Sequence, residues 1–158
     1  MSAVLFVCLG NICRSPVVEA VARARFAHAG LDVRVDSAST GNWHAGSAPD
    51  PRSLTSALAR GYDASTHLAR QVCADDFTSF DSLLVMDRMN LRDVLAMAPG
   101  QGHDRVALFL KGTVLPGGIV ELPDPYYGQA RDFDRVVELA EQGVDGLIAR
   151  IRNAYLRR

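Results

Sequence analysis

Lysine is almost absent from this chain: Lys111 is the only one among 17 basic residues, so arginine carries the positive charge. That bias warns against treating any single arginine as special. Cysteine is scarce as well. Cys8, Cys13 and Cys73 are too few for a disulfide framework in 158 residues, which makes reduced thiols the default. Long apolar runs are missing. Nothing approaches a membrane span, and VLFV near the N-terminus has neither the basic flank nor the length of a signal peptide. Net charge is missing too, since a formal −1 gives no broad electrostatic basis for binding nucleic acid or acidic membrane. These absences predict a cytoplasmic protein with no nucleic-acid partner and no membrane insertion.

What is present reads as an ordinary globular chain, 48% hydrophobic and of one-domain length, so residues 1–158 are expected to form a single domain. AVLFVC is apolar without alternation, as in a strand buried on both faces. Ser15-Pro16 is a helix start, Val17, Ala20, Val21, Ala24 and Ala27 follow at helical spacing, and Gly30 stops the run. DVRVDSAS predicts a second strand. Asp50-Pro51 opens a helix that ends at Gly61. SLLVM is a third strand, Asp87 caps a helix to about Ala98, and RVALFL is a fourth strand. Lys111 to Arg131 reads as loop, and an apolar stripe from Phe133 to Ile151 marks a long last helix. Alternating strands and helices predict an α/β three-layer sandwich. Its four-stranded parallel sheet would be doubly wound in the Rossmann-like or flavodoxin-like manner.

In such a sheet, ligands bind where strands end and helices begin. The segment Cys8 to Ser15 lies at that place. Successive N–H groups in a tight loop, followed by a helix N-terminus, form an anion seat, and Gly10 offers backbone freedom within it. Neither G-x-x-x-x-G-K-S/T nor G-x-G-x-x-G is present, so this is not a nucleotide loop. The field that attracts an anion would also favour a thiolate at Cys8. Arg14 adds a planar fork able to hold two phosphoryl oxygens at once. Ser15 has two readings, a donor to the Cys8 sulfur or a cap on the helix.

CLGNICRSP resembles the signature loop of the low-molecular-weight protein tyrosine phosphatases. DSASTGNWHAG, PDPRS, HLARQV, DDFTSFDSLLVMDRMNLRDV and PDPYYG follow in that family's order, so the resemblance covers nearly the whole chain. Ser39 departs from it, standing where many members carry Gly, and is expected to alter loop detail rather than chemistry. The resemblance implies hydrolysis of phosphotyrosine through a phosphocysteine, with Cys8 as nucleophile, Arg14 as phosphate clamp, and Asp124, held between Pro123 and Pro125, as general acid. Leu9, Gly10, Asn11, Ile12, Cys13 and Ser15 would complete the phosphate-binding loop. Ser37 and His67 would support it, and Trp43, Tyr126 and Tyr127 would wall the pocket. No metal and no cofactor are implied.

Each assignment has a plainer rival. Asp-Pro is also a turn signal, His67 and Ser37 also satisfy polar groups at element ends, Tyr127 also packs, and Asp87 reads as a cap alone. Cys13 reads equally as a redox partner of Cys8 or as a small buried hydrophobe, and Cys73 as structural. Two sister activities are weighed. Protein arginine phosphatases of this fold carry Thr where Ile12 stands, and thioredoxin-linked arsenate reductases need further cysteines that this chain lacks. A redox-switch or phosphate-binding protein is the non-hydrolytic alternative. Expected partners are phosphotyrosine proteins, among them a bacterial tyrosine kinase of polysaccharide export. The expected assembly is a monomer or weak homodimer.

Overall fold

The computed structural model describes every residue from Met1 to Arg158. Four strands, β1 (Ala3–Cys8), β2 (Arg34–Ser39), β3 (Ser82–Val85) and β4 (Val106–Leu108), form one sheet in the order β2-β1-β3-β4. Every pairing is parallel. The helices are α1 (Ser15–His28), α2 (Pro51–Ala59), α3 (Asp76–Ser79), α4 (Arg88–Met97) and α5 (Ala130–Leu156).

β1 is buried at every residue, which explains why AVLFVC shows no alternation of apolar and polar side chains. Its pleat still sorts them. Val4, Phe6 and Cys8 join the core shared with α1 and α5, while Ala3, Leu5 and Val7 join Phe77, Phe80 and Val94 on the α3–α4 side. Helix layers on both faces of a parallel sheet make the three-layer α/β sandwich.

Local signals set most boundaries. Asp50 accepts the Arg52 amide as N-cap of α2, and Asp87 accepts the Asn90 amide as N-cap of α4. Two expectations need correction, and one element was not expected. β4 stops at Leu108, because Phe109 and Leu110 turn down under α5, where both press on the Cα face of Gly143. Their apolarity belongs to the core and not to a strand. The one-turn α3 carried no sequence signal. The last helix begins at Ala130, closed by a reciprocal Gln129–Asp132 capping box, so the loop expected to run to Arg131 ends earlier.

Candidate active site

The loop from Leu9 to Arg14 joins the carboxyl end of β1 to α1, beside the place where the chain crosses from β2 through β1 to β3. Its backbone departs from expectation at one residue. Asn11, not Gly10, holds the left-handed conformation, with φ of 58°. Gly10 sits close to an imidazole instead: a Cβ there would lie 3.0 Å from Cδ2 of His44, a tight contact to which that ring would have to yield.

Asn11 is fully buried and organises what lies beneath the loop. Its Nδ2 donates to Ser15 Oγ at 2.8 Å and to Ser37 Oγ at 2.9 Å, and its Oδ1 accepts the Arg70 amide at 3.0 Å. His67 Nε2 lies 3.0 Å from the Asn11 carbonyl. Because each serine oxygen accepts from Asn11, its own hydrogen is free to point away from it. Ser37 donates to Glu19 Oε1 at 2.8 Å. Ser15 has Cys8 Sγ at 3.0 Å, and the Asn11 amide reaches the same sulfur at 3.2 Å. Ser15 Oγ and the Asn11 amide therefore converge on the Cys8 sulfur. Ser15 does not cap α1. The cap position falls on Arg14, which makes no side-chain cap bond.

Arg14 is 2% exposed, and its guanidinium is fixed by groups far along the chain. Nη1 donates to Asp87 Oδ2 at 2.7 Å and to the Leu122 carbonyl at 2.9 Å, and Nη2 stands 3.8 Å from Asp124 Oδ2. Burial works against its charge. The Cys8 sulfur, Asp87 and Asp124 outweigh that and push the Arg14 pKa up. Asp87, expected to be a cap alone, splits its carboxylate: Oδ1 caps α4 and Oδ2 holds Arg14. Asp124 does the same, with Oδ1 accepting the Tyr126 amide at 3.1 Å and Oδ2 turned toward Arg14.

Above this base is a pocket of about 300 Å³. Cys8, Leu9, Gly10, Ile12, Cys13 and Arg14 form its floor, and Trp43, His44, Asp124, Tyr126 and Tyr127 its sides. The amides of Leu9, Gly10, Ile12, Cys13 and Arg14 make no backbone hydrogen bond, so they remain available to an anion. Tyr127 is 97% exposed, which sets aside the packing role; it meets Tyr126 edge to face with centroids 4.9 Å apart. Cys13, within that floor, has its Sγ 3.8 Å from Asp50 Oδ2. Burial first, and then the Asp50 carboxylate, push its pKa up to about 12.

Sequence reasoning named Asn11, Ser15, Ser37 and His67, and the structure brings all four into one network behind Cys8. Three residues were missed. Glu19 interrupts an otherwise apolar stretch of α1, a signal available to the eye, and it closes the network on Ser37. His44 gave no signal in its polar loop. Arg52 follows the Asp50-Pro51 helix start, and its guanidinium pairs with Asp50 and sits over the rings of Phe133 at 4.4 Å and Tyr126 at 5.5 Å.

The arrangement can hold a tetrahedral anion against a thiolate, with a carboxylate at one side. Comparison with known proteins gives the family. Residues 3–156 match the family model described as low molecular weight phosphotyrosine protein phosphatase. A phosphatase of that description from Schizosaccharomyces pombe is 43% identical, over 87% of this chain and 90% of its own. A low molecular weight protein-tyrosine-phosphatase from Streptomyces coelicolor is 40% identical, over 94% and 93%. The crystal structure of a protein tyrosine phosphatase from Entamoeba histolytica, with Hepes in its active site, superposes with a TM-score of 0.92. That pair is 33% identical and covers 98% of this chain and 99% of the other.

Proposed function

The chain belongs to the low molecular weight phosphotyrosine protein phosphatase family, whose chemistry runs through a phosphocysteine, and we propose that Cys8, Arg14 and Asp124 carry that chemistry here. The observation that carries the reading is the meeting on one pocket floor of Cys8 Sγ, the buried Arg14 guanidinium and loop amides free of backbone partners, with Asp124 Oδ2 3.8 Å from Arg14 Nη2.

In the first step the Cys8 thiolate attacks phosphorus and the bond to the phenolic oxygen breaks. The departing phenolate takes its proton from Asp124. Arg14 and the free loop amides hold the equatorial oxygens as their charge redistributes. In the second step Asp124 takes a proton from water, the water oxygen joins phosphorus and the P–S bond breaks. Inorganic phosphate leaves and the thiolate is restored. The split carboxylate supports both roles for Asp124, since the Tyr126 amide fixes one oxygen and leaves the other beside Arg14.

Ile12 supports an aryl substrate. It gives the pocket floor an apolar surface suited to a phenyl ring and no hydroxyl for a guanidinium, which disfavours the arginine phosphatase alternative. Cys13 bears on the redox alternative. Burial and the Asp50 carboxylate favour the neutral Cys13 thiol, which slows attack on a Cys8 sulfenic acid and weighs against the redox alternative. The substrates are proteins bearing phosphotyrosine, among them a bacterial tyrosine kinase of polysaccharide export. The protein works in the cytoplasm as a monomer or weak homodimer, with residues 1–158 as one domain. No helix is long and apolar enough to cross a membrane.

The test is turnover of a phosphotyrosine peptide beside a phosphoarginine peptide, by wild type and Cys8→Ser, without added metal. Phosphotyrosine turnover that vanishes in the variant supports the reading. A preference for phosphoarginine would overturn the role of Ile12 and keep the mechanism.

A further inference from the structure

Trp43 is the only tryptophan in the chain, and at 71% exposed it has little around it to fix its indole. What it does have is Gly41. A Cβ built on Gly41 would collide with Cε3, Cζ3 and Cη2 of Trp43, so the benzo edge of the indole fills the space that a side chain would take. Gly41 is not among the residues with positive φ, so the chain does not need glycine there for its backbone. The requirement comes from the indole.

The seat itself is rigid. The Gly41 amide donates to the Leu9 carbonyl at 3.1 Å, which ties it to the phosphate loop. The Gly41 carbonyl accepts from the hydroxyl of Ser39. That hydroxyl is also 3.0 Å from the Arg70 carbonyl, on the segment whose amide holds Asn11. Ser39 therefore braces Gly41 against the buried network, and Gly41 presents a bare backbone face to the indole. An exposed aromatic ring is positioned by a buried frame.

We propose that Ser39 and Gly41 are positioning residues that set the place of Trp43 as a pocket wall, and through it the preference for an aryl group on the bound phosphate. This rests on the aryl phosphate reading above. A methyl group at position 41 leaves the amide and carbonyl of the seat in place but drives the indole off it. The ring contact is lost while the floor, which holds the phosphate, is untouched.

The experiment titrates wild type, Gly41→Ala and Ser39→Ala with benzylphosphonate, a non-hydrolysable aryl phosphate mimic, and with inorganic phosphate. Binding is followed by the emission of Trp43. In Gly41→Ala the emission of the free protein shifts and benzylphosphonate binds roughly fivefold more weakly, the scale of a lost aromatic contact, while inorganic phosphate stays within about twofold. Ser39→Ala, which keeps the seat and removes its brace, moves the same ratio in the same direction by about twofold. Equal weakening of both ligands would overturn the proposal, because the substitutions would then act on the loop. Unchanged emission and affinities would overturn it as well. Failure of the wild type to hydrolyse phosphotyrosine would sink the functional reading instead, and the affinity ratio would still decide the role of the seat.

Discussion

The floor and the rim of this pocket are built on opposite terms. On the floor, Asn11 and Ser15 are fully buried, Arg14 nearly so, and their polar groups find partners on β2, on the His67–Arg70 segment, at the start of α4 and near Leu122. At the rim, Trp43 and Tyr127 face solvent and lean on a glycine face and a neighbouring ring. Phosphate is the same in every substrate, so its seat gains from being held by many redundant bonds in a buried site, where each is strong. The chain presenting that phosphate varies, and a rim held by a few dispersive contacts can adjust to it. The two regions should respond differently to substitution.

The largest effect is expected where floor and rim meet. Asp124→Asn keeps the turn with Tyr126 and removes the proton donor. It should lower kcat by about 10²–10⁴ for a phosphotyrosine peptide, and by far less for an aryl phosphate with a very good leaving group, as steady-state rates on the two substrates would show. On the floor, Asp87→Asn keeps the cap on α4 but takes the charged partner from Arg14. Loss of one charge-assisted bond of about 1.5–3 kcal/mol corresponds to a drop in kcat/KM of roughly ten- to a hundredfold. Inhibition by inorganic phosphate should weaken in parallel. Trp43→Ala should break the symmetry of that result. KM for the peptide rises about tenfold, whereas kcat and phosphate inhibition change little. If phosphate inhibition weakened as much, the rim and floor would not be separable.

The smallest effect concerns the outer support of the floor. Asp76 is buried, which pushes its pKa up, but bonds from Arg70 and the Cys73 amide outweigh this and leave it below its ordinary value of 3.8. A carboxylate with a lowered folded pKa stabilises the fold above its unfolded value and loses that contribution as pH falls through the folded one. The denaturation midpoint should therefore fall below about pH 4 in wild type, with a shallower fall in Asp76→Asn. Phosphate affinity should decline alongside, since Arg70 also holds Asn11.

Much of this was legible in the sequence because it is local. β1, the Cys8–Arg14 loop and the caps of α2 and α4 follow from adjacent residues, and they fall where expected. Errors arose where one local pattern had two causes. Phe109 and Leu110 are as apolar as a strand requires, yet they serve the core under α5. Gly10 looked like a backbone requirement, yet its φ is not positive and what crowds it is the imidazole of His44.

Asp87 and Asp124 show most clearly where the sequence stops. It determined by itself that one is a helix cap and the other part of a Pro-flanked turn, because those bonds join residues two or three apart. Only the tertiary structure decided what their second oxygens do, since Arg14 lies 73 residues from the first and 110 from the second, and the parallel sheet brings them together. Short-range hydrogen bonds are written in neighbouring letters. The lining of a pocket depends on which distant segments a fold makes adjacent, and a single residue's identity carries no record of that.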